Sequence, residues 1–154
     1  MGPWPILTTI ALCQQPAALT LHGLDGKPVN ITAEDLTKMA HHSIKASDHG
    51  TPATFEGVLL SEILAKVNVP LGDKLKGKAL SQFLVAEAAD GYRVLFALPV
   101  LDPASTDHPV YLVTKRDGQP LSEKDGPVRI VAPNEKRQGR WVRQVIALTI
   151  RRAQ

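Results

Sequence analysis

Apolar and polar residues alternate over short runs along most of this chain, and residues suited to turns separate the runs. ALTLHGLDGKPVNIT reads as a hairpin, with a strand near Ala18–His22, a Leu-Asp-Gly-Lys turn and a strand near Val29–Ile31. A short helix is expected next, with Thr32 as N-cap, Glu34 and Asp35 in the first turn, and Leu36 and Met39 toward the core. His41–Ser47 alternates weakly as a strand, Asp48-His49-Gly50 turns the chain, and Ala53–Glu56 returns. In GVLLSEILAKVNVP the apolar period lengthens. Leu60, Ile63, Leu64 and Val67 recur at helical spacing and Pro70 closes the segment, which predicts an amphipathic helix.

Gly72–Lys78 reads as a charged surface connection, after which the pattern is mostly β. Leu80–Ala88 and Tyr92–Ala97 form two strands around Ala-Asp-Gly, and the proline-bearing Leu98–Pro103 a bend or single helical turn. Val110–Thr114, Val128–Val131 and Val145–Ile150 are further strands, with Asp117-Gly118 and Asp125-Gly126 turns before the second. About seven strands against two or three short helices, without regular alternation, predict an α+β fold. The expected core is Leu60, Ile63, Leu64, Leu84, Val94, Phe96, Leu112, Ile130, Val145 and Leu148.

The chain's 154 residues fit one domain, 18–152, with 44% hydrophobic and 21% charged content. The net charge of +3 is modest, but its placement is not even: six Lys or Arg fall between Lys136 and Arg152, with Glu135 the only acid nearby. Such a segment suits a small anionic ligand. It is too short, and too poor in aromatics, for nucleic acid. With Cys13 as the one cysteine, no internal disulfide and no cysteine-cluster zinc site can form. No apolar run reaches the length of a membrane span. WPILTTIALC, with Ala11 and Cys13 spaced for a cut before Gln14, makes residues 1–17 an export signal or an N-terminal extension. The first reading predicts an exported or periplasmic protein, the second a cytoplasmic one. His42 and His49 are weak metal candidates, because the chain must bring them together before they can share an ion.

Four segments in order carry a family resemblance: GVLLSEIL, EAADGYRVLFAL, RDGQPL and KDGPVRIVAPNEKRQGRWVRQVIAL. They resemble the molybdopterin-binding domain of the sulfite oxidase family, over roughly Leu19 to Ile150. The resemblance implies a mixed β-sheet domain whose edge loops cradle a pterin cofactor and its phosphate. It places Arg140 and Arg143 as phosphate or pterin contacts, Trp141 as a packing wall, and Lys136 in the same basic loop. Tyr92 and Arg93 fall at the rim, and Arg129 on the strand that braces the loops. It also implies a redox partner protein if the domain is active. Phosphate favours convergent N–H donors and guanidinium groups, and glycine lets backbone approach it.

One departure bears on the chemistry. Family enzymes hold molybdenum through a cysteine upstream of the Gly-x-x-Leu segment. The corresponding HHSIKASDHGTPATFEG has none, and Lys45 or a close neighbour stands there. The expectation is therefore a molybdopterin-type binding domain without standard oxo-transfer. A molybdenum oxidoreductase with another metal ligand, or a structural unit, are the alternatives.

Overall fold

A computed structural model describes residues 17–153. The export-signal expectation for residues 1–17 and Cys13 lie outside that range, apart from Ala17 at the start of the first strand.

The described chain is built around ten strands in two sheets. β1 (Ala17–His22) and β2 (Pro28–Thr32) form the first hairpin. β3 (His42–Asp48) and β4 (Thr51–Leu59) form the second, and β5 (Gln82–Ala88) and β6 (Arg93–Ala97) the third. β7 (Tyr111–Arg116), the two-residue β8 (Gln119–Pro120), β9 (Arg129–Val131) and β10 (Val145–Arg152) complete the set. The first sheet runs β2-β1-β10-β5-β6, with β1 parallel to β10 and the other pairs antiparallel. The second is antiparallel, β3-β4-β7-β8, with β9 also on β7.

The helices are short: α1 (Ala33–Thr37), α2 (Leu60–Leu64) and α3 (Leu98–Leu101). At α1 the predicted cap forms. Thr32 Oγ1 accepts from the Asp35 N–H at 3.1 Å, and Asp35 Oδ2 accepts from the Thr32 N–H at 2.9 Å, which satisfies two donors at the helix start. Leu36 is buried beneath it. The α+β expectation is met by two sheets with few helices.

Two elements differ from the sequence reading. The helix expected over GVLLSEILAKVNVP is only α2 followed by a 3-10 turn, Ala65–Val67, and Gly57–Leu59 belong to β4. Close approach of β7 explains this: a Cβ on Gly57 would sit 2.5 Å from the Cα of Val113 and closer still to the Leu112 carbonyl oxygen. A register shift between Glu56 and Gly57 marks the spot. Strand pairing thus overrides the helical period of the residues that follow. The second difference is that the expected strands Val128–Val131 and Val145–Ile150 do not share one mixed sheet. β9 lies in the second sheet and β10 in the first, so residues 132–144 cross between sheets. Backbone bonds from Ile130 to Val142 (2.9 Å) and from Val145 to Val128 (3.1 Å) hold the base of the crossing.

One apolar core gathers side chains from both sheets and from α2. It includes Leu84, Phe96 and Leu148 from the first sheet, Phe55, Leu112 and Ile130 from the second, and Leu60, Ile63 and Leu64 from the helix. Of the expected core, only Val94 is partly buried, packed against the cluster.

Candidate functional site

The site begins at a hairpin tip. Asp48 pairs with Thr51, and the two residues between them, His49 (φ 49°) and Gly50 (φ 85°), both take left-handed conformations. That is the turn a two-residue hairpin loop requires, and a histidine is an unusual occupant of its first place. A second tip, Asp117-Gly118, closes β7 and β8 the same way. Its Asp117 carboxylate accepts from the Thr54 N–H at 2.9 Å, which fixes the tip against β4.

Between these tips lies a buried ionic cluster. Asp48, 7% exposed, receives Arg116 from β7 at 2.7 Å and Arg129 from β9 at 3.0 and 3.4 Å. Arg129 is 1% exposed, the largest fully buried side chain in the described protein. Its guanidinium carbon lies 5.5 Å from the Trp141 ring centre and 5.9 Å from that of Phe55. The two rings meet edge to face. Charge-assisted bonds and aromatic faces offset the solvation a buried guanidinium loses. Asp48 is pulled two ways. Burial, the largest single influence, raises its pKa, but the hydrogen bond from Arg129 and the charges of Arg129, Arg116 and His49 together hold it below the ordinary 3.8.

The sign of the pH effect follows. A carboxylate with a depressed native pKa contributes stability that is complete above its unfolded value and lost as pH falls through the native one. Asp48→Asn is therefore expected to be less stable than the wild type at neutral pH, with the gap narrowing once pH drops below about 4. Urea unfolding at stepped pH measures it; a gap unchanged in acid contradicts the assignment.

Above the cluster opens a cavity of about 230 Å³. Arg129 and Trp141 line it with Gln138, Gly139 and Arg143 from the sheet crossing, and with Asp90 and Tyr92 from the β5–β6 turn. His49 stands at its edge. The predicted Asp-Gly-Tyr hairpin is present: Gly91 has φ 89°, and the Tyr92 N–H donates to the Asp90 carboxylate at 3.0 Å. The Tyr92 hydroxyl donates to the Gly139 carbonyl and so ties this turn to the crossing. Trp141 is buried and donates to the Ala132 carbonyl at 2.9 Å. Arg143 is set by Asp125 at 3.3 Å. Two guanidinium groups thus face one rim carboxylate, Asp90, while Asp48 and Asp125 stand behind the arginines. Arg129 Nε is buried without a partner.

Of the residues singled out from the sequence, Tyr92, Arg129, Trp141 and Arg143 meet at this cavity. Arg140, Arg93 and Lys136 do not line it. Arg140 bonds the Leu95 carbonyl at 3.1 Å, pairs with Glu135 and lies 4.4 Å from the Phe96 ring centre. Arg93 pairs with Glu87 at 3.4 Å. Lys136 lines a neighbouring depression of about 480 Å³ that shares His49 and Gln138 with the cavity. Gln138 forms the partition, accepting from the His49 N–H at 3.2 Å and donating to the Ser47 carbonyl.

His42 and His49 are not brought together. His42 opens β3, opposite Gly57, while His49 follows its last residue, so a strand length of roughly 20 Å separates them. His42 instead tilts against Tyr111, ring centres 5.8 Å apart. Among the described residues no three His, Cys, Asp or Glu side chains gather as a metal set. Lys45 lies exposed mid-strand, opposite Thr54. Arg116 and Gln138 carry no signal in the sequence. Only Asp48, placed just before a turn that forces φ > 0, carries a local signal there.

A sequence model described as the oxidoreductase molybdopterin binding domain matches residues 9–154. A search of curated proteins gives no match. Among solved structures, the sulfane dehydrogenase SoxCD from Paracoccus pantotrophus is similar, with a TM-score of 0.65 and 26% identity, over 92% of this chain and 39% of that one. This chain therefore spans well under half the length of the protein it matches.

Proposed function

The chain belongs to the oxidoreductase molybdopterin binding domain family, and we propose that it holds the anionic part of a pterin-like ligand against Arg129 and Arg143, without thiolate-bound molybdenum. The observation that carries this reading is the convergence of Arg129 and Arg143 on the lining of one cavity. Two guanidinium groups on one concave surface favour an anionic guest. Arg143 and the Gly139 backbone offer further polar contacts to such a guest. The cavity is smaller than the roughly 300–1,000 Å³ usual for a whole drug-sized ligand. It fits one charged end, with the rest of the ligand extending outward past Gln138 or Tyr92.

The residues present do not fit the metal. The soft thiolate that suits molybdenum has no counterpart among the described residues, because Cys13 is the chain's one cysteine. The hairpin tip nearest the cavity carries Asp48 and His49 instead, and Asp48 is already engaged by two arginines.

Native protein from a host that makes the cofactor tests this. Intact-mass measurement, pterin fluorescence after denaturation and metal analysis should show pterin without stoichiometric molybdenum. Arg143→Ala, folded by circular dichroism, should lower pterin occupancy in line with a loss of about 10- to 100-fold in affinity, the weight of one charge-assisted bond. Stoichiometric molybdenum would instead make the domain an oxidoreductase with a different metal ligand. A protein without any guest would make it a scaffold.

A further inference from the structure

We infer that His49 is a binding residue of the cavity, whose imidazolium adds a charge to the grip on an anionic guest and tightens that grip in acid; the inference rests on the anion-binding reading above. His49 lines both the cavity of Arg129 and Arg143 and the neighbouring depression of Lys136 and Arg137. Its side chain, 69% exposed, stands where the two meet. Among the described residues nothing requires an imidazole there. The bond to Gln138 is made by the backbone N–H, which any residue but proline supplies. Asp48 already accepts from Arg116 and Arg129, and the His49 Nε2 is 3.9 Å from it, beyond hydrogen-bond reach. At φ 49° asparagine or glycine is the less strained occupant. A side chain without structural duty, held at a strained backbone angle on the lip of a cationic cavity, is placed for what enters that cavity.

The groups around His49 make it the source of the acid dependence. Asp48 beside it is neutralised by Arg116 from β7 and Arg129 from β9. The crossing between sheets brings Lys136, Arg137 and Arg143 to the two linings. It also brings Glu135, which is paired with Arg140, while Arg143 is paired with Asp125. The β5–β6 turn adds Asp90 and the Tyr92 phenol. Carboxylates, phenols, guanidinium and ammonium groups keep their charge state from about pH 5.5 to 8, whereas histidine is the side chain that changes its own in that range. Among the described residues His49 is the one histidine lining either concavity, so the pH response of binding there falls to it. The negative charge of a guest favours the imidazolium, and binding then takes up a proton.

Calorimetric titration of the full chain with sodium sulfate, at fixed ionic strength, tests the inference. Sulfate is the probe because its own charge is constant over this range of pH. Its dissociation constant should fall about fivefold from about pH 8 to about pH 5.5, the weight of one partly exposed charged contact. His49→Asn and His49→Gly both suit the turn and should fold; each should keep the wild-type affinity at the higher pH and lose the change. Arg143→Ala should lose binding at both. Sulfate binding that depends on Arg143 but is flat with pH, or that stays pH-dependent in the two His49 variants, overturns the role of His49 and leaves the anion cavity standing. No sulfate binding, or binding indifferent to Arg143→Ala, overturns the cavity reading and the inference with it.

Discussion

Asp48→Ala is expected to lower the unfolding free energy by about 3–5 kcal/mol, with a fall in Tm on the order of 10 °C. The loss is not mainly that of three hydrogen bonds. Arg129 is 1% exposed, so removal of Asp48 leaves a nearly buried cation whose nearest remaining carboxylate, Asp125, is 3.9 Å away and shared with Arg143. Arg116 is 30% exposed and can turn outward, which makes its share small. The test is a double variant. Asp48→Ala with Arg129→Met removes both charges and fills part of the space between Phe55 and Trp141 with an apolar chain, so it should recover most of the loss. A double variant no more stable than Asp48→Ala alone would show that the buried charge is not the cause.

Gly57→Ala should cost about 3 kcal/mol, the upper end for overpacking, from the addition of one methyl group. The obstructing atoms are the Leu112 carbonyl and the Val113 Cα, which are backbone atoms and cannot rotate aside. Relief requires β4 to move away from β7, which strains the pairing that carries Leu112 and Val113 into the core. Ala at Gly50 is the useful contrast. A Cβ there meets nothing within 4 Å, so its penalty is confined to the left-handed backbone, about 1–2 kcal/mol. Chemical denaturation of both variants gives the comparison, and a Gly57 variant as stable as the wild type would contradict the close approach.

The same glycine shows how far the sequence could be read. Strand and turn positions were legible wherever the cue was local: the Thr32 cap, the Asp48-His49-Gly50 tip and the Asp90-Gly91-Tyr92 turn all lie where their residues place them. Gly57 misled because its role depends on Leu112 and Val113, residues remote in the chain that no periodicity connects to it. The division of β9 and β10 between two sheets was hidden for the same reason. Among the site residues, Arg129, Arg143, Trp141 and Tyr92 followed from the family resemblance and meet at one cavity. Arg140 carries the same charge in the same segment, yet its register turns it toward Leu95 and Phe96. Asp48, 81 residues from Arg129, becomes its partner only once the chain is closed.

The segment 132–144 is rooted in one sheet at β9 and in the other at β10. It carries Gln138, Gly139, Trp141 and Arg143 between those two anchors. Any molecule gripped there touches both halves of the fold at once, and its binding free energy adds to the cohesion between layers rather than to a single loop. On the proposed function, the two sheets of a filled domain should therefore unfold together more tightly than those of a vacant one.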